Sequence, residues 1–168
     1  MRLGPAAALL LVLSAGSALS AEPAELLTTS KDWAAYRHQE PERKVCFAAS
    51  QPKDSTPKGS KRSDVYFYLS FYPGDGVRNE VMVRLGFSAK AGSPVTAVID
   101  NQSFELVAVA DKAYLARPEE SDKFVEALKK GNRMVIKATP DKGAETTDVY
   151  SLLGVSNAAK QAEDACAS

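Results

Sequence analysis

The alternation of side chains over residues 64–71 constrains the fold of this chain more than any other feature. The run at 65–71 reads VYFYLSF, so the odd positions are apolar and the even positions are aromatic or polar. Successive side chains of a β-strand point to opposite faces, and a period of two residues is therefore typical of a strand with one face in a core. The pattern predicts a strand over 64–71 that buries Val65, Phe67, Leu69 and Phe71.

Short segments of this kind recur along the chain, and turn-forming residues separate them. Strands are predicted at 32–38, 44–49, 64–71, 81–85, 94–99, 102–109, 112–115, 133–139 and 146–152. The pair Asp100-Asn101 tolerates the positive φ angles of a tight turn and predicts a hairpin. Residues 22–31 are expected to form a leader, and residues 51–63 a polar loop. The whole predicts a mainly β protein: a single-domain antiparallel β-sandwich or barrel-like fold with two short helices.

Both helices are predicted from apolar spacing and from the residues that begin and end a helix. The first begins at Ser121 or Asp122, whose side-chain oxygens can accept from the free amides of the opening turn, and ends at Gly131. The second runs from Ser156 to about Ala165. One face of the second helix carries four residues that are expected to contact the domain: Val155, Ala159, Ala162 and Cys166.

The N-terminal residues have the three-part layout of a secretory signal peptide. A positive start at Met1-Arg2 is followed by an apolar run over 6–13 and by mostly small residues over 14–21. The apolar run is far shorter than the ~20 residues that a membrane-spanning helix needs, so no transmembrane anchor is expected. We expect a signal peptide at 1–20 and a mature domain at 21–168, with cleavage after Ala18 or Ala21, or retention as a buried helix, as alternatives. Such a protein is periplasmic or secreted.

Export changes what the two cysteines are expected to do. An oxidising compartment favours disulfides, and an even number of cysteines leaves no thiol over. We therefore predict one bridge between Cys46 and Cys166, with two buried free thiols or a reactive or metal-binding pair as alternatives. His38 is the only histidine of the chain. One histidine and two cysteines at unrelated spacings do not make a metal-ligand set, so no metal and no cofactor are expected.

The charges balance overall but are unevenly placed. The chain has 21 basic and 21 acidic residues, which argues against a nucleic-acid partner bound by a global positive field. Six basic residues and one acidic residue lie between Arg43 and Arg62, whereas residues 141–168 hold five acidic and two basic ones. Four residues of the basic segment are candidates for contact with an anionic surface: Lys53, Lys58, Lys61 and Arg62. The alternative is a solvated, mobile loop.

Tyr66 and Tyr68 lie on the outward face of the strand predicted at 64–71, and Tyr72 follows them. A row of aromatic side chains on a strand face can form a contact site for a partner. The alternative is burial under another segment of the same chain. We take Tyr66 and Tyr68, together with the basic residues, as the candidate partner-binding face.

Candidate catalytic groups are few in this sequence. With one histidine, a nucleophile–base pair would have to use His38, and no serine lies in a glycine-flanked elbow. His38 itself is expected at an exposed strand end. The glycines at 74 and 76 are typical of a turn between strands rather than of a phosphate-binding loop. A non-enzymatic protein is therefore expected, with a hydrolase or other small-molecule enzyme as the alternative.

Several segments, in this order, resemble the invasion-associated locus B family of exported bacterial proteins. They are DWAAY at 32–36, KVCFAASQPK at 44–53, KRSDVYF at 61–67 and ETTDVYSLLGV at 145–155, followed by Ala158-Ala159 and Cys166. The resemblance spans roughly residues 31–166. It implies a periplasmic or secreted β-rich domain and a link to host-cell invasion, although similar proteins also occur in bacteria that do not invade. The family has no agreed catalytic residues to carry over to this chain.

This chain departs from some members of that family, which have a further cysteine near the tryptophan strand. No cysteine lies near Trp33 here, so a second disulfide is not expected. Residues and resemblance together favour an exported, non-enzymatic β-sandwich protein that binds a component of the envelope or of a host surface.

Overall fold

The structure is a computed structural model that describes residues 23–39 and 41–167. The signal peptide expected at 1–20 lies outside the described residues. Eleven strands occur within them: β1 to β11 are Glu25–Ser30, Trp33–Gln39, Lys44–Ser50, Asp54–Thr56, Tyr66–Tyr72, Val77–Arg84, Val95–Ile99, Gln102–Val109, Lys112–Leu115, Arg133–Ala138 and Thr146–Ser151. The two α-helices of the same residues are α1, Ser121–Lys130, and α2, Val155–Ala167.

All eleven strands belong to one antiparallel sheet, in the order β1-β2-β3-β5-β6-β9-β8-β7-β10-β11-β4. The expectation of a mainly β, single-domain protein with two helices is therefore confirmed. The sheet has β1 and β4 as edges in the described part of the chain, so it is not a closed barrel.

The alternation over 65–71 has the predicted consequence. Val65, Phe67, Leu69 and Phe71 are all buried, and Phe67 lies at the centre of the core. Its ring packs against Trp33 of β2 at 5.7 Å between centroids and against Phe124 of α1 at 6.0 Å. One face of the strand therefore holds the sheet and the first helix together through aromatic contacts.

Hydrogen bonds connect the two ends of the curved sheet without closing it. The Trp33 Nε1–H of β2 donates to the Ser151 carbonyl of β11 at 2.9 Å, and the Asp32 amide donates to the Leu153 carbonyl at 3.2 Å. Gly154 has a φ of 97°, and a Cβ there would come within 1.9 Å of the Ser30 carbonyl oxygen. Only glycine permits this approach, which positions the start of α2 against β1.

Helix α2 is fastened to the sheet by the predicted disulfide. Cys46 of β3 and Cys166 of α2 are bonded, with their Cα atoms 5.7 Å apart. The four residues predicted to contact the domain, Val155, Ala159, Ala162 and Cys166, are all buried, and so is Ala158. Because most of these side chains are small, the helix lies close to the sheet and the covalent bond secures its last turn.

Two strands were not predicted from the sequence. The expected leader contains β1, because Leu26 to Ser30 pair with β2 across a tight turn at Lys31. The expected polar loop contains β4, in which Thr56, Ser55 and Asp54 pair with Thr147, Asp148 and Val149 of β11. Strand β4 has no apolar pattern of its own, and its extended conformation comes from pairing with a segment far along the chain.

The start of α1 also differs from the expectation. Its N-cap residue is Glu120, which makes no capping hydrogen bond with its side chain. The Ser121 hydroxyl instead donates to the Pro118 carbonyl at 2.7 Å, and Asp122 accepts from the Asn79 side-chain amide at 2.9 Å. The helix therefore begins with a contact to β6 in place of a side-chain cap.

Candidate functional site

Four aromatic rings form a continuous cluster on the outward face of β2, β3 and β5. Tyr36 and Phe47 are stacked with centroids 5.2 Å apart, Phe47 meets Tyr68 edge to face at 5.7 Å, and Tyr66 follows at 5.7 Å from Tyr68. We call these four residues the aromatic cluster. All are half-buried, so the rings cover one another in part and still present a common surface to solvent.

Strand register assembles this cluster from three separate parts of the chain. Tyr36 of β2 lies opposite Phe47 of β3, and Ala49 of β3 lies opposite Tyr68 of β5. Facing positions of adjacent strands are close enough for large side chains to touch.

The pKa of the Tyr68 hydroxyl is raised, mainly by burial and to a smaller extent by the nearby Tyr66 hydroxyl. Tyr68 therefore stays a neutral hydrogen-bonding group at physiological pH.

A groove of about 400 Å³ runs beside the aromatic cluster. Tyr36 and Tyr66 line it together with the small Ala34 and Ala49, and Lys31, Asp32 and Lys53 also line it. The groove thus combines aromatic surface with positive charge and hydrogen-bonding groups. We call it the aromatic groove.

The lysines of the predicted basic loop lie at the surface. Lys53 forms an ion pair with Asp32, and Lys58 forms one with Asp54 four residues earlier. These lysines hold the pKa values of Asp32 and Asp54 below the usual range. Lys61 is exposed and makes no ion pair with any residue that the structure describes. Pairs of this kind are weak in water, so both paired lysines remain able to exchange partners.

Arg62 is placed differently from the three lysines, because only 9% of its side chain is exposed. It forms a two-pronged ion pair with Asp148 of β11, with Nη1 at 2.9 Å from Oδ2 and Nη2 in contact with Oδ1. The Ser55 hydroxyl of β4 donates to the same carboxylate at 2.6 Å. The charge of Arg62 is thus already matched inside the protein, and the guanidinium offers no free cation to a partner.

A second groove, also of about 400 Å³, lies on the other side of Lys53. Its lining includes Lys58 and Arg62, and it shares residues 51–53 with the aromatic groove. We call it the basic groove. Segment 51–53 is therefore the wall between an aromatic surface and a basic one.

The structure thus brings most of the predicted partner-binding residues into one region. Lys53 and Tyr66 line the aromatic groove, Lys58 and Arg62 line the basic groove, and Tyr68 belongs to the aromatic cluster. Lys61 lies in the loop but lines neither groove. Tyr36, Phe47 and Lys31 were not predicted as site residues, although the alternation within 32–38 places Tyr36 on the face opposite Trp33.

Groups suited to catalysis are sparse in the described residues. Asp148 is the one buried carboxylate among residues 23–39 and 41–167, and Arg62 and Ser55 already engage it. His38 is half-buried near the end of β2, and its Nδ1 has no hydrogen-bond partner among the described atoms. The same part of the chain contains no cluster of side chains able to hold a metal ion. None of its helices has the length and apolar character to cross a membrane.

Comparison with solved structures supports the fold. The chain is similar to the crystal structure of invasion associated protein B from Bartonella henselae, with a TM-score of 0.58 and 19% sequence identity. The similarity covers 83% of this chain and 95% of the other. At that identity the likeness concerns the fold alone. No curated protein sequence is similar enough to this chain to count as a match.

The family profile described as invasion associated locus B (IalB) protein matches residues 33–163. The matched region extends from Trp33 of β2 into α2 and includes the aromatic cluster, the basic loop and the Arg62–Asp148 pair. It covers well over half of the chain. This chain therefore belongs to the invasion associated locus B family.

Proposed function

We propose that this protein is exported, to the periplasm or to the medium, and binds an anionic component of the bacterial envelope or of a host surface without catalysing a reaction. The observation that carries the proposal is the aromatic groove, where Tyr36 and Tyr66 lie beside Lys31 and Lys53. Aromatic side chains bury much apolar area at little conformational cost, and the ammonium groups select for negative charge.

The N-terminal layout and the buried disulfide support export. A disulfide is expected to persist in an oxidising compartment and to be rare in the cytosol. Cell fractionation followed by intact-mass measurement tests this directly. We expect a chain that begins at Ala21, that is found outside the cytoplasm, and that yields no alkylated thiol before reduction. Full-length protein in the cytoplasm with two free thiols would exclude export.

Binding should depend on the exposed lysines and on salt. Each lysine near an anionic membrane surface contributes roughly 1 kcal/mol, and less where an aspartate of the same chain competes for it. Replacing Lys53, Lys58 and Lys61 by alanine should therefore weaken binding on the order of tenfold or more. Binding is measured with two probes, an envelope membrane fraction and host plasma-membrane vesicles.

A matched control removes the same amount of charge elsewhere. Lys90, Lys129 and Lys142 are exposed and lie outside both grooves and outside the loop at 51–63, so their triple alanine variant should bind like the wild type. Cosedimentation at increasing ionic strength measures both variants. Binding that is insensitive to salt, or that is equally weak in both triple variants, would reject the lysines as the contact.

The environment of Asp148 supports a non-enzymatic role. General acid–base catalysis needs an ionisable group within reach of a substrate. Asp148 already pairs with Arg62 and accepts from Ser55, so its oxygens are committed to the structure of the domain. A hydrolase remains the competing proposal, and hydrolysis of an ester, phosphate or glycoside substrate that is lost in an Asp148→Asn variant that stays folded would establish it.

The link to host-cell invasion is proposed from the name of the Bartonella protein and of the family. The test compares invasion of cultured cells by the producing bacterium, by a strain that lacks the gene, and by that strain complemented with the Tyr36→Ser/Tyr66→Ser variant. If the aromatic groove serves invasion, the variant should fail to complement while its exported amount stays the same. Normal invasion by the strain that lacks the gene would remove this part of the proposal.

A further inference from the structure

A second exposed apolar surface lies on the outward face of β6, β9 and β8, and it borders the aromatic cluster because Met82 lies opposite Tyr68. Met82 lies opposite Tyr114, and Tyr114 lies opposite Val107, so the three side chains form a row across three adjacent strands. Val107 is 52% exposed and its neighbour Val109 is 62% exposed. We call Met82, Tyr114 and Val107 the apolar row; Val109 lies beside it, opposite Lys112. Large aliphatic side chains exposed together in this way are typical of an interaction surface.

Charged residues flank the apolar row with opposite signs on its two long sides. Arg84 and Lys112 lie opposite each other on adjacent strands and form the positive side. Glu80 and Glu105 lie two residues from Met82 and Val107 in the other direction, and they form the negative side. Side chains two residues apart on a strand share a face, so both charged pairs point outward with the row.

The charges on both sides remain accessible. Arg84 approaches Asp111 at 3.8 Å and Glu105 approaches Arg117 at 3.8 Å, both at the long end of ion-pair range and between exposed groups. Glu80 accepts a hydrogen bond from Tyr72 at 3.1 Å. Such surface contacts contribute little and can be replaced. The row is therefore flanked by one positive and one negative strip, each free to meet an opposite charge.

From this arrangement we infer that the apolar row is the contact between two copies of this chain, packed sheet face to sheet face. A two-fold axis along the row superposes one apolar row on the other and exchanges the two long sides. Arg84 and Lys112 of each copy then face Glu80 and Glu105 of the other. An isologous contact has to be complementary to itself in this way.

Charge complementarity distinguishes this arrangement from others. A two-fold axis parallel to the strands would place positive strip on positive strip, and like charges brought together are destabilising. An anionic lipid surface would attract Arg84 and Lys112 but repel Glu80 and Glu105. A second copy turned about the axis along the row satisfies both strips and covers the apolar row between them. The contact borders the aromatic cluster, since Tyr66 lies opposite Arg84, but it uses none of the residues on which the proposed function rests.

Two charge-reversed variants test the inference. The first carries Glu80→Lys and Glu105→Lys, and the second carries Arg84→Glu and Lys112→Glu. Each alone places like charges across the contact and should sediment as a monomer, whereas the wild type should show a mass that rises towards twice that of the monomer with concentration. An equimolar mixture of the two variants should recover the dimer, because one face is then wholly positive and the other wholly negative.

Controls separate this result from loss of folding and from other occupants. Circular dichroism shows whether each variant is folded. The single variant Glu105→Lys changes the negative side without disturbing the hydrogen bond between Glu80 and Tyr72. Lys129→Glu/Lys130→Glu on α1 changes the charge equally at a distant surface and should leave the dimer intact.

A wild-type protein that stays monomeric at every concentration would overturn the inference. So would variants that dimerise like the wild type, or a mixture that stays monomeric. Monomeric protein that binds vesicles through Val107, shown by loss of binding in Val107→Asp, would assign the surface to lipid.

Discussion

Arg62 and Asp148 form an ion pair inside the protein, with 9% and 1% of their side chains exposed. The two residues are 86 positions apart in the chain. Their contact joins the basic segment 43–62 to the acidic segment 141–168, and the pairing of β4 with β11 lies beside it. The separation of charge along the sequence is thus partly neutralised by the fold.

Removing one partner of this pair should destabilise the domain strongly. Asp148→Asn leaves a buried guanidinium without its counter-charge, and Arg62→Met leaves a buried carboxylate. We expect each to lower the free energy of unfolding by about 3–5 kcal/mol, measured by urea denaturation. The double variant Arg62→Met/Asp148→Asn should lose less than the sum of the two. Lys58→Met breaks the exposed pair with Asp54 and serves as control, with a change below ~1 kcal/mol. An Asp148→Asn variant as stable as this control would contradict the account.

Tyr150 is buried in the core, and its hydroxyl has no hydrogen-bond partner among the described atoms. Burial, with Asp148 nearby, raises the pKa of this hydroxyl far above its ordinary value, so it stays neutral. An unsatisfied buried hydroxyl costs roughly 1–3 kcal/mol. Tyr150→Phe keeps the ring that packs against Phe67 and should leave stability unchanged or raise it by about 1 kcal/mol. Thermal and urea unfolding measure this, and a clear loss of stability would mean that the hydroxyl is satisfied.

The disulfide should contribute to stability mainly through the length of the loop that it closes. Cys46 and Cys166 are 120 positions apart, and the loss of a native disulfide from a small exported domain costs about 2–5 kcal/mol. We expect Cys46→Ala/Cys166→Ala to unfold at lower urea concentration. In this variant, hydrogen exchange in the last turn of α2 should also speed up relative to the wild type, and by more than hydrogen exchange in α1, which no disulfide holds. Equal stability with and without the bond would refute this.

The strands that carry a two-residue alternation were predicted from sequence, and those that depend on a partner were not. Residues 65–71 show their inward face directly in the order of side chains. Strand β4 is only three residues long and lies between Pro52 and Pro57, and pairing with β11 makes it a strand. Residues 25–30 alone predict a leader and not β1, because the neighbouring strand β2, which completes the hydrogen bonding of β1, is not apparent from them.

The residues of the candidate site divide in the same way, into those predicted from one segment and those that depend on contacts between distant segments. The lysines at 53, 58 and 61 were expected at the surface and lie there. Arg62 carries the same charge in the same loop but is mostly buried, because it pairs with Asp148 from a distant part of the chain. The aromatic cluster was half predicted: Tyr66 and Tyr68 follow from one strand, whereas Tyr36 and Phe47 require knowledge of which strands are neighbours.

The binding of Lys53 and Tyr66 variants to envelope membranes tests the proposed function most directly, since both residues line the aromatic groove. Cosedimentation should be measured for Lys53→Ala, Tyr66→Ser, the double variant and the triple control at Lys90, Lys129 and Lys142. We predict that each single variant binds more weakly. Binding of Lys53→Ala should depend less steeply on salt, and Tyr66→Ser should lose part of the apolar affinity. The double variant should bind more weakly than either single variant, and its departure from the sum of the two losses measures the coupling between the residues. Wild-type binding by all groove variants would contradict the proposal that this groove is the partner-binding site.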